Sequence, residues 1–214
     1  MITAYSFGAS TAAGAMDDQG GFIARLGRFL TDTNSGSAIN HGIGGDTTDV
    51  MIERLPGVIE DMRSRPNPLA LVTLGINDVP RIVDEKPEIR VPLERHSKSL
   101  AEILAKTAEI GQVVYLTQYP VDYVARSLDP ELTQEYVTLG EKTARAAGID
   151  IVDIFGMITP ERFGEFIYED GLHFNNRGHL FICNQIIEYL KANLSSYLGR
   201  PETFSGNTRW SGTR

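Results

Sequence analysis

The sequence predicts a single α/β domain in which a parallel sheet lies between two layers of helices. Three observations favour this class: short apolar segments alternate with longer amphipathic ones, the chain has 214 residues, and its composition is ordinary, with 42% hydrophobic and 22% charged residues. A chain of this length can form one compact domain. Alternating strands and helices favour right-handed crossovers, which produce a parallel sheet covered on both faces. We therefore expect a three-layer α/β/α sandwich.

Five short segments, rich in apolar and β-branched residues, have the length of buried strands. They span residues 2–7, 37–41, 69–74, 113–118 and 149–154. A five-stranded parallel sheet is therefore predicted. Sheets of this kind bind their ligands at the carboxyl ends of the strands, so we expect the chemistry in the loops that follow these segments.

Helical spacing of apolar residues predicts the helices that connect the strands. They span residues 21–31, 49–62, 93–109 and 130–147, and a last helix follows Asn176. Pro56 is expected to interrupt or kink the second helix, because proline lacks the N–H that a helix interior uses. Residues 1–198 are predicted to form the domain. Residues 199–214 lack periodicity and are predicted to form a C-terminal tail, either wrapped on the surface or disordered.

The charge and cysteine content bear on partners and location. The net charge of −8 gives the protein a negative electrostatic field. Such a field repels polyanions, so nucleic acid is not an expected partner. No apolar run approaches the roughly 18 residues of a membrane span. Cys183 is the one cysteine, which excludes an internal disulfide, and its apolar helical face predicts a packed core thiol. The first residues do not have the pattern of a signal peptide, so we expect a cytoplasmic location.

The loops after the first two predicted strands are rich in glycine and hydroxyl residues. Ser10 comes directly after a buried strand, and Gly8 before it allows a sharp exit of the chain. Ser10 is a candidate nucleophile, although a turn or cap serine is the ordinary alternative. Residues 40–48 contain glycines whose N–H groups can bind an oxyanion. A turn in which Asp46 or Thr47 caps the next helix is the alternative there.

The loop after the third predicted strand supplies an uncharged amide. Asn77 can donate a hydrogen bond to a carbonyl oxygen on which negative charge develops. An Asx turn closed by the same side chain is the alternative.

A carboxylate lies three residues before an imidazole far downstream, at Asp170 and His173. At this spacing Asp170 can reach the Nδ1–H of His173, fix its tautomer and stabilise the imidazolium. A surface turn is one alternative and a metal site another. The chain has four histidines and no His-Glu-x-x-His motif, and His179 lies six residues after His173, so a metal site has weak support. No metal or other cofactor is expected.

Together these four segments resemble the four signature blocks of the SGNH hydrolase (GDSL-like lipase/esterase) family, in the family's order and over nearly the whole chain. The matching segments are Gly8-Ala9-Ser10 with Gly14, residues 42–48, Gly75-Ile76-Asn77-Asp78 and Asp170-Gly171-Leu172-His173. The resemblance implies the flavodoxin-like fold of that family. It also implies that Ser10 is the nucleophile, His173 the base and then the acid, and Asp170 its orienting partner. The implied oxyanion donors are the Ser10 N–H, the Gly45 N–H and the Asn77 side chain, with Gly44 as the neighbouring alternative to Gly45.

One position departs from the family pattern, because Ala9 stands where the family usually has aspartate. That carboxylate is not a member of the triad. Its absence therefore bears on the rigidity of the Ser10 loop and on the rate of the reaction, and leaves the catalytic groups in place.

The resemblance implies a serine hydrolase that cleaves carboxylic esters of small molecules through an acyl-enzyme. The predicted specificity loops, residues 79–92 and 120–130, favour short-chain acyl or acetyl esters by their proline and charge content. A thioesterase, a lysophospholipase, a carbohydrate O-deacetylase and an acyltransferase remain open on the same site, as does a non-catalytic ligand-binding protein of this fold. The natural substrate and the oligomeric state, for which a homo-oligomer is one option, also remain open.

Overall fold

The computed structural model describes residues 1–198, and the predicted tail at 199–214 lies outside them. Seven strands are present in the described part of the chain: β1 (Ile2–Gly8), β2 (Gly36–Asn40), β3 (Pro68–Thr73), β4 (Arg81–Val83), β5 (Lys86–Glu88), β6 (Gln112–Leu116) and β7 (Asp150–Val152). Five of them form one sheet in the order β2-β1-β3-β6-β7, and every pair in it is parallel. The predicted five-stranded parallel sheet is confirmed.

The order of the strands determines where a ligand crevice forms. From β1 the chain first adds β2 on one side and then returns to add β3 on the other side. This is the flavodoxin-like order of a doubly wound sheet, and its switch point lies between the carboxyl ends of β1 and β3. Loops that leave these two strands therefore face a common crevice.

Helices connect the strands and cover both faces of the sheet. They are α1 (Ser10–Ala13), α2 (Gly21–Asp32), α3 (Thr48–Arg63), α4 (Leu93–Ala108), α5 (Pro130–Ala146), α6 (Ile154–Met157), α7 (Phe163–Phe166) and α8 (Asn176–Asn193). Two single-turn 3-10 helices, Pro160–Arg162 and Ser195–Tyr197, follow α6 and α8. The predicted three-layer α/β/α sandwich is confirmed.

Successive residues of each strand point to opposite faces, and this creates two separate cores. On one face, Ala4, Leu71 and Val114 pack with α2 and α8. On the other, Tyr5 and Val72 pack with α3, α4 and the end of α5. Burial of both faces explains why these strands are nearly continuous apolar runs.

Cys183 lies on the buried face of α8, as predicted for a core thiol. Burial raises the pKa of its thiol to about 11, so the sulfur stays protonated and unreactive at neutral pH.

Two features of individual elements differ from the sequence-based expectations. The helix α3 is not interrupted, and Pro56 lies inside it. Leu55 and Val58, on either side of the proline, are buried. The packing of this helix face against the core therefore offsets the loss of the hydrogen bond that proline cannot make. The antiparallel pair β4 and β5 was not predicted, because its residues are largely exposed and show no apolar alternation.

Candidate active site

The predicted nucleophile follows β1 through a turn that requires glycine. Gly8 has φ of +154°, and a Cβ there would overlap the backbone carbonyl of Thr73 on the neighbouring strand. The chain then enters α1 at Ser10, whose side chain is partly exposed. In this first turn the Ser10 N–H has no acceptor within the helix. Both the hydroxyl and the N–H of Ser10 are thus placed at the carboxyl edge of the sheet.

The glycine-rich loop after β2 packs directly on the Ser10 loop. The Ile43 N–H donates to the Gly8 carbonyl at 3.0 Å. A Cβ on Gly42 would overlap the backbone of α1, and a Cβ on Gly44 would lie 4.0 Å from the Ser10 Cβ. Gly45, the predicted oxyanion donor, has φ of +86° and open space where a Cβ would be. Glycine is therefore required at position 42 by the close approach to α1, and it is favoured at position 45 by the positive φ.

A buried ion pair holds this loop at its far end. The Arg54 Nε donates to Asp46 Oδ2 at 2.7 Å, and an Arg54 amino group reaches the Gly8 carbonyl at 3.5 Å. Asp46 is only 5% exposed, so its partner is needed to offset the desolvation of the carboxylate. The next residue, Thr47, caps α3 by accepting from the Val50 N–H, so of the two predicted caps Thr47 performs this role.

The predicted amide donor is oriented by the same loop. The Asn77 Nδ2 donates to the Asp46 carbonyl at 3.0 Å, and this bond fixes which side of the amide carries the NH₂ group. An amide nitrogen has two hydrogens, so the second remains for a ligand. Asn77 and Gly45 are therefore neighbours in space as well as candidate donors to one oxyanion.

Asp78, directly after this amide, anchors the turn from within the core. It is fully buried and accepts from the Thr48 N–H at 3.0 Å and the Thr48 hydroxyl at 2.6 Å. Its second partner is the buried His96, whose Nδ1 lies 2.6 Å from Asp78 Oδ2. The Nε2 of His96 has no hydrogen-bond partner within residues 1–198. Sequence reasoning missed His96, because nothing in its surroundings on α4 indicates a partner 18 residues upstream.

The predicted carboxylate and imidazole form a hydrogen-bonded pair. Asp170 Oδ2 lies 2.5 Å from His173 Nδ1, while Asp170 Oδ1 accepts from the N–H groups of Leu172 and His173 at 3.0 Å each. Burial acts to raise the pKa of Asp170, but these N–H groups and the His173 ring outweigh it, so the pKa lies below its usual value. The ionised carboxylate accepts the Nδ1–H, which leaves Nε2 of His173 free to take a proton.

The backbone around this pair is held from two directions. The Tyr168 N–H donates to the His173 carbonyl at 2.7 Å, which closes a narrow loop. The Asp122 N–H donates to the Gly171 carbonyl, also at 2.7 Å, and ties this loop to the chain that follows β6. Gly171 has φ of +70°, a conformation that favours glycine.

Tyr119 joins the Ser10 loop to the His173 loop. Its hydroxyl lies 2.7 Å from the hydroxyl of Thr11, and its ring centroid is 4.4 Å from that of Phe174. Burial raises the pKa of Tyr119 to about 12, with Thr11 acting to lower it and Asp170 to raise it, so the phenol stays neutral. Sequence reasoning missed this residue, since its two partners lie in segments far from it along the chain.

The five predicted site residues lie at one edge of the described structure, Ser10 at the start of α1 and Gly45, Asn77, Asp170 and His173 in loops. The Asp170–His173 pair and the Asn77–Asp46 contact are direct. Ser10 and His173 form no direct hydrogen bond within the described residues and are joined through Thr11, Tyr119 and Phe174. Catalytic hydrogen bonds are often long without substrate and shorten when it binds.

His179 has a structural position. Its Nδ1 accepts from the Phe22 N–H at 3.2 Å, and its Nε2–H donates to the Ala15 carbonyl at 3.0 Å. Both ring nitrogens are thus used inside the protein. In residues 1–198, no group of three or more His, Cys, Asp or Glu side chains is arranged to hold a metal ion. None of the helices in this part of the chain is long and apolar enough to cross a membrane.

The parallel sheet and the loops at its carboxyl edge have the arrangement of the α/β/α hydrolase class. The family model described as GDSL-like Lipase/Acylhydrolase family matches residues 6–180, and the chain belongs to this family. It is accordingly a carboxylic ester hydrolase. The family predicted from the four sequence blocks is confirmed.

Individual relatives are distant in sequence and close in fold. The chain is 24% identical over 194 residues to the human isoamyl acetate-hydrolyzing esterase 1 homolog, covering 83% of this chain and 77% of that protein. A lipase/acylhydrolase from Enterococcus faecalis superposes with a TM-score of 0.74 at 22% identity, covering 90% of this chain and 96% of the other. For an acetylxylan esterase from Geobacillus stearothermophilus the TM-score is 0.67 at 17% identity, with 87% and 92% covered. The two structural likenesses show the fold.

Proposed function

We propose that the chain hydrolyses short-chain carboxylic esters in two acyl-transfer steps. His173 Nε2 takes the proton of the Ser10 hydroxyl as Oγ attacks the ester carbonyl. The tetrahedral intermediate then collapses, the C–O bond to the alcohol breaks, and His173 returns the proton to the departing alcohol. Water, activated by His173 in the same way, attacks the acyl-enzyme and releases the acid and Ser10.

The observation that carries this proposal is the hydrogen bond between Asp170 and His173. A carboxylate 2.5 Å from Nδ1 holds the tautomer in which Nε2 is the basic nitrogen. The lowered pKa of Asp170 keeps the carboxylate ionised at neutral pH, so it stabilises the imidazolium that forms during attack.

The proposed oxyanion donors are the Ser10 N–H, the Gly45 N–H and the Asn77 Nδ2. Their support is the packing of the glycine loop on α1 and the bond that orients the Asn77 amide. Gly44 is the alternative to Gly45, and its backbone is close to Ser10. Each such donor contributes a few kcal/mol of transition-state stabilisation, about 10²- to 10³-fold in rate.

Acetyl esters are the proposed first substrates. Two relatives bear names that specify acetate or acetyl groups, the human isoamyl acetate-hydrolyzing esterase 1 homolog and the acetylxylan esterase. Thioesters, lysophospholipids and acyl transfer to another alcohol use the same acyl-enzyme, so the experiment below includes them.

The test is a graded series of 4-nitrophenyl esters and acyl thioesters with wild type, Ser10→Ala and Ser37→Ala. Ser37 lies exposed on the edge strand β2 and is the matched control. We expect kcat/KM to be highest for acetyl or butyryl esters and to fall at least about a thousandfold in Ser10→Ala, with Ser37→Ala unchanged. Hydrolysis that survives in Ser10→Ala contradicts the proposal. A preference for long acyl chains or for thioesters contradicts the assigned substrate.

A further inference from the structure

A small cavity lined by three arginines lies beside the proposed oxyanion site. The arginines are Arg81, Arg90 and Arg126. Asn77 lines the same cavity, and so does Leu172, the residue before the site histidine. Three arginines therefore line the same cavity as the amide that is proposed to bind the ester carbonyl oxygen.

What distinguishes these three arginines is that they line one cavity whose lining contains no carboxylate. Four of the twelve arginines in residues 1–198 are in ion pairs: Arg25 with Asp17, Arg54 with Asp46, Arg95 with Asp49 and Arg162 with Glu165. Within residues 1–198, none of the three cavity arginines forms an ion pair. Glu88 lies opposite Arg81 across the β4–β5 hairpin, and still no pair forms between them. Like charges repel one another, so a cluster of three arginines without a carboxylate partner is not explained by stability.

The cluster is fixed relative to the site by backbone hydrogen bonds. The Ile82 N–H donates to the Ser127 carbonyl at 2.6 Å, which holds the hairpin of Arg81 against the turn of Arg126. The Arg126 N–H donates to the Asp122 carbonyl at 3.0 Å, and Asp122 in turn is bonded to Gly171. The loop that carries His173 and the arginine cavity therefore form one connected unit.

Arg126 differs from the other two members of the cluster in its burial and in its electrostatic effect on Tyr119. Its side chain is partly buried, whereas Arg81 and Arg90 are exposed. Its positive charge acts on Tyr119, where it tends to lower the pKa of the phenol against the larger effect of burial. Since Tyr119 bonds Thr11, the residue after Ser10, Arg126 is within electrostatic reach of the site.

We propose that Arg81, Arg90 and Arg126 bind a carboxylate carried by the ester substrate, next to the ester that is cleaved. The inference rests on the proposed function and specifies its substrate class. Guanidinium groups match carboxylates in a two-bond geometry, and the apolar walls formed by Val79 and Leu128 strengthen such bonds by excluding water. The cavity has a volume of about 10 Å³, which is room for about one water molecule. The exposed side chains of Arg81 and Arg90 therefore move outward when the carboxylate binds.

The test compares matched ester pairs that differ in one charge. In the first pair the carboxylate is in the acyl part: 4-nitrophenyl hydrogen glutarate against 4-nitrophenyl valerate. In the second pair it is in the alcohol part: 4-acetoxybenzoate against 4-acetoxybenzamide. We expect wild type to favour the charged member of one pair by about tenfold in kcat/KM, as for a hydrogen bond between charged groups. The pair in which the charged ester is preferred shows whether the carboxylate belongs to the acyl part or to the alcohol part of the substrate.

The variants are Arg126→Gln and Arg90→Gln, with Arg63→Gln as the control. Arg63 is exposed at the carboxyl end of α3, a 16-residue helix whose amino end is at the site, so it lies about 24 Å away. We expect the charged-to-neutral ratio of kcat/KM to fall about tenfold in Arg126→Gln and less in Arg90→Gln, and to stay unchanged in Arg63→Gln. Raising the ionic strength should also lower the ratio in wild type.

Two outcomes overturn the inference: no preference for either charged ester in wild type, or a preference that both cavity variants retain. In each case Ser10-dependent hydrolysis of neutral esters continues, so the proposed function stands. Absence of ester hydrolysis in wild type overturns the proposed function itself.

Discussion

The hydroxyl of Tyr119 lies 2.7 Å from the hydroxyl of Thr11, and this buried hydrogen bond joins the loop of the proposed nucleophile to the loop of its proposed base. On its other side, the Tyr119 ring packs on Phe174, the residue after His173. A proton transfer between Ser10 and His173 requires the two loops to keep a fixed distance. Tyr119 contacts both Thr11, which follows Ser10, and Phe174, which follows His173. We therefore assign Tyr119 a positioning role.

Tyr119→Phe keeps the ring and removes the hydroxyl. The buried Thr11 Oγ1 is then left without its partner, which should lower the free energy of unfolding by about 1–3 kcal/mol. We expect kcat to fall about tenfold with little change in KM, because the loops lose their alignment while the ester pocket remains. Unfolding curves and steady-state kinetics check this, and the double variant Thr11→Val/Tyr119→Phe should recover much of the stability. Equal kinetics in wild type and Tyr119→Phe would contradict the positioning role.

Asn77→Ala removes an oxyanion donor and leaves the triad in place. We expect a loss of about 100-fold or more in kcat with a modest change in KM, since the donor acts mainly on the transition state. Asn193→Ala is the control, because Asn193 donates only to a carbonyl at the end of α8. An unchanged kcat in Asn77→Ala would remove this amide from the site.

Asp170→Asn replaces the carboxylate with an amide of the same shape. The amide NH₂ cannot accept the Nδ1–H, so it favours the tautomer in which Nε2 carries a proton and cannot act as a base. We expect kcat to fall at least about a hundredfold without a matching loss of thermal stability. Asp32→Asn, at the exposed end of α2, serves as the control. Full activity of Asp170→Asn would exclude the proposed role.

The buried His179 predicts how stability depends on pH. Burial lowers the pKa of His179, against the opposite effects of Ala15 and Asp17. In an unfolded chain the pKa of histidine is about 6.5. Between the lowered folded pKa and about 6.5 the unfolded chain binds more protons than the folded one. The free energy of unfolding therefore rises with pH through this window. The contribution of His179 to it is lost as the pH falls through the same window.

His179→Gln removes this titration. We expect the unfolding free energy of wild type to fall more steeply from pH 7 to pH 5 than that of the variant, by at most about 1.4 kcal/mol per pH unit for one proton. Because the variant also loses hydrogen bonds of the ring, slopes and not absolute values are compared. Chemical denaturation at several pH values measures them. Parallel slopes would show that His179 does not titrate on unfolding.

The buried parts of this fold were predictable because their signal is local. The central strands β1, β3 and β6 are buried on both faces, so each is an apolar run of the length expected for a strand. The Asp170–His173 pair is equally local, since three residues separate its members. Motif order then placed Ser10 and Asn77 at strand ends, which the sheet topology brings to one edge.

The features that were missed depend on contacts between distant parts of the chain. Tyr119 and Thr11 are separated by 108 positions, and Asp78 and His96 by 18. No periodicity encodes such a partner, because tertiary packing alone creates it. The hairpin of Arg81 is exposed and held by its contact with the turn at 127, so it has no apolar pattern of its own. The arginine cavity between these two segments was missed for the same reason.

The central claim is that Ser10 is a nucleophile activated by His173. The most direct measurement is mass spectrometry of the protein after reaction with an aryl fluorophosphonate, which captures an activated serine as a stable adduct. We predict one adduct, on Ser10, that forms much more slowly in His173→Ala. An adduct on another residue, or continued ester hydrolysis after Ser10 has been fully labelled, would contradict the claim.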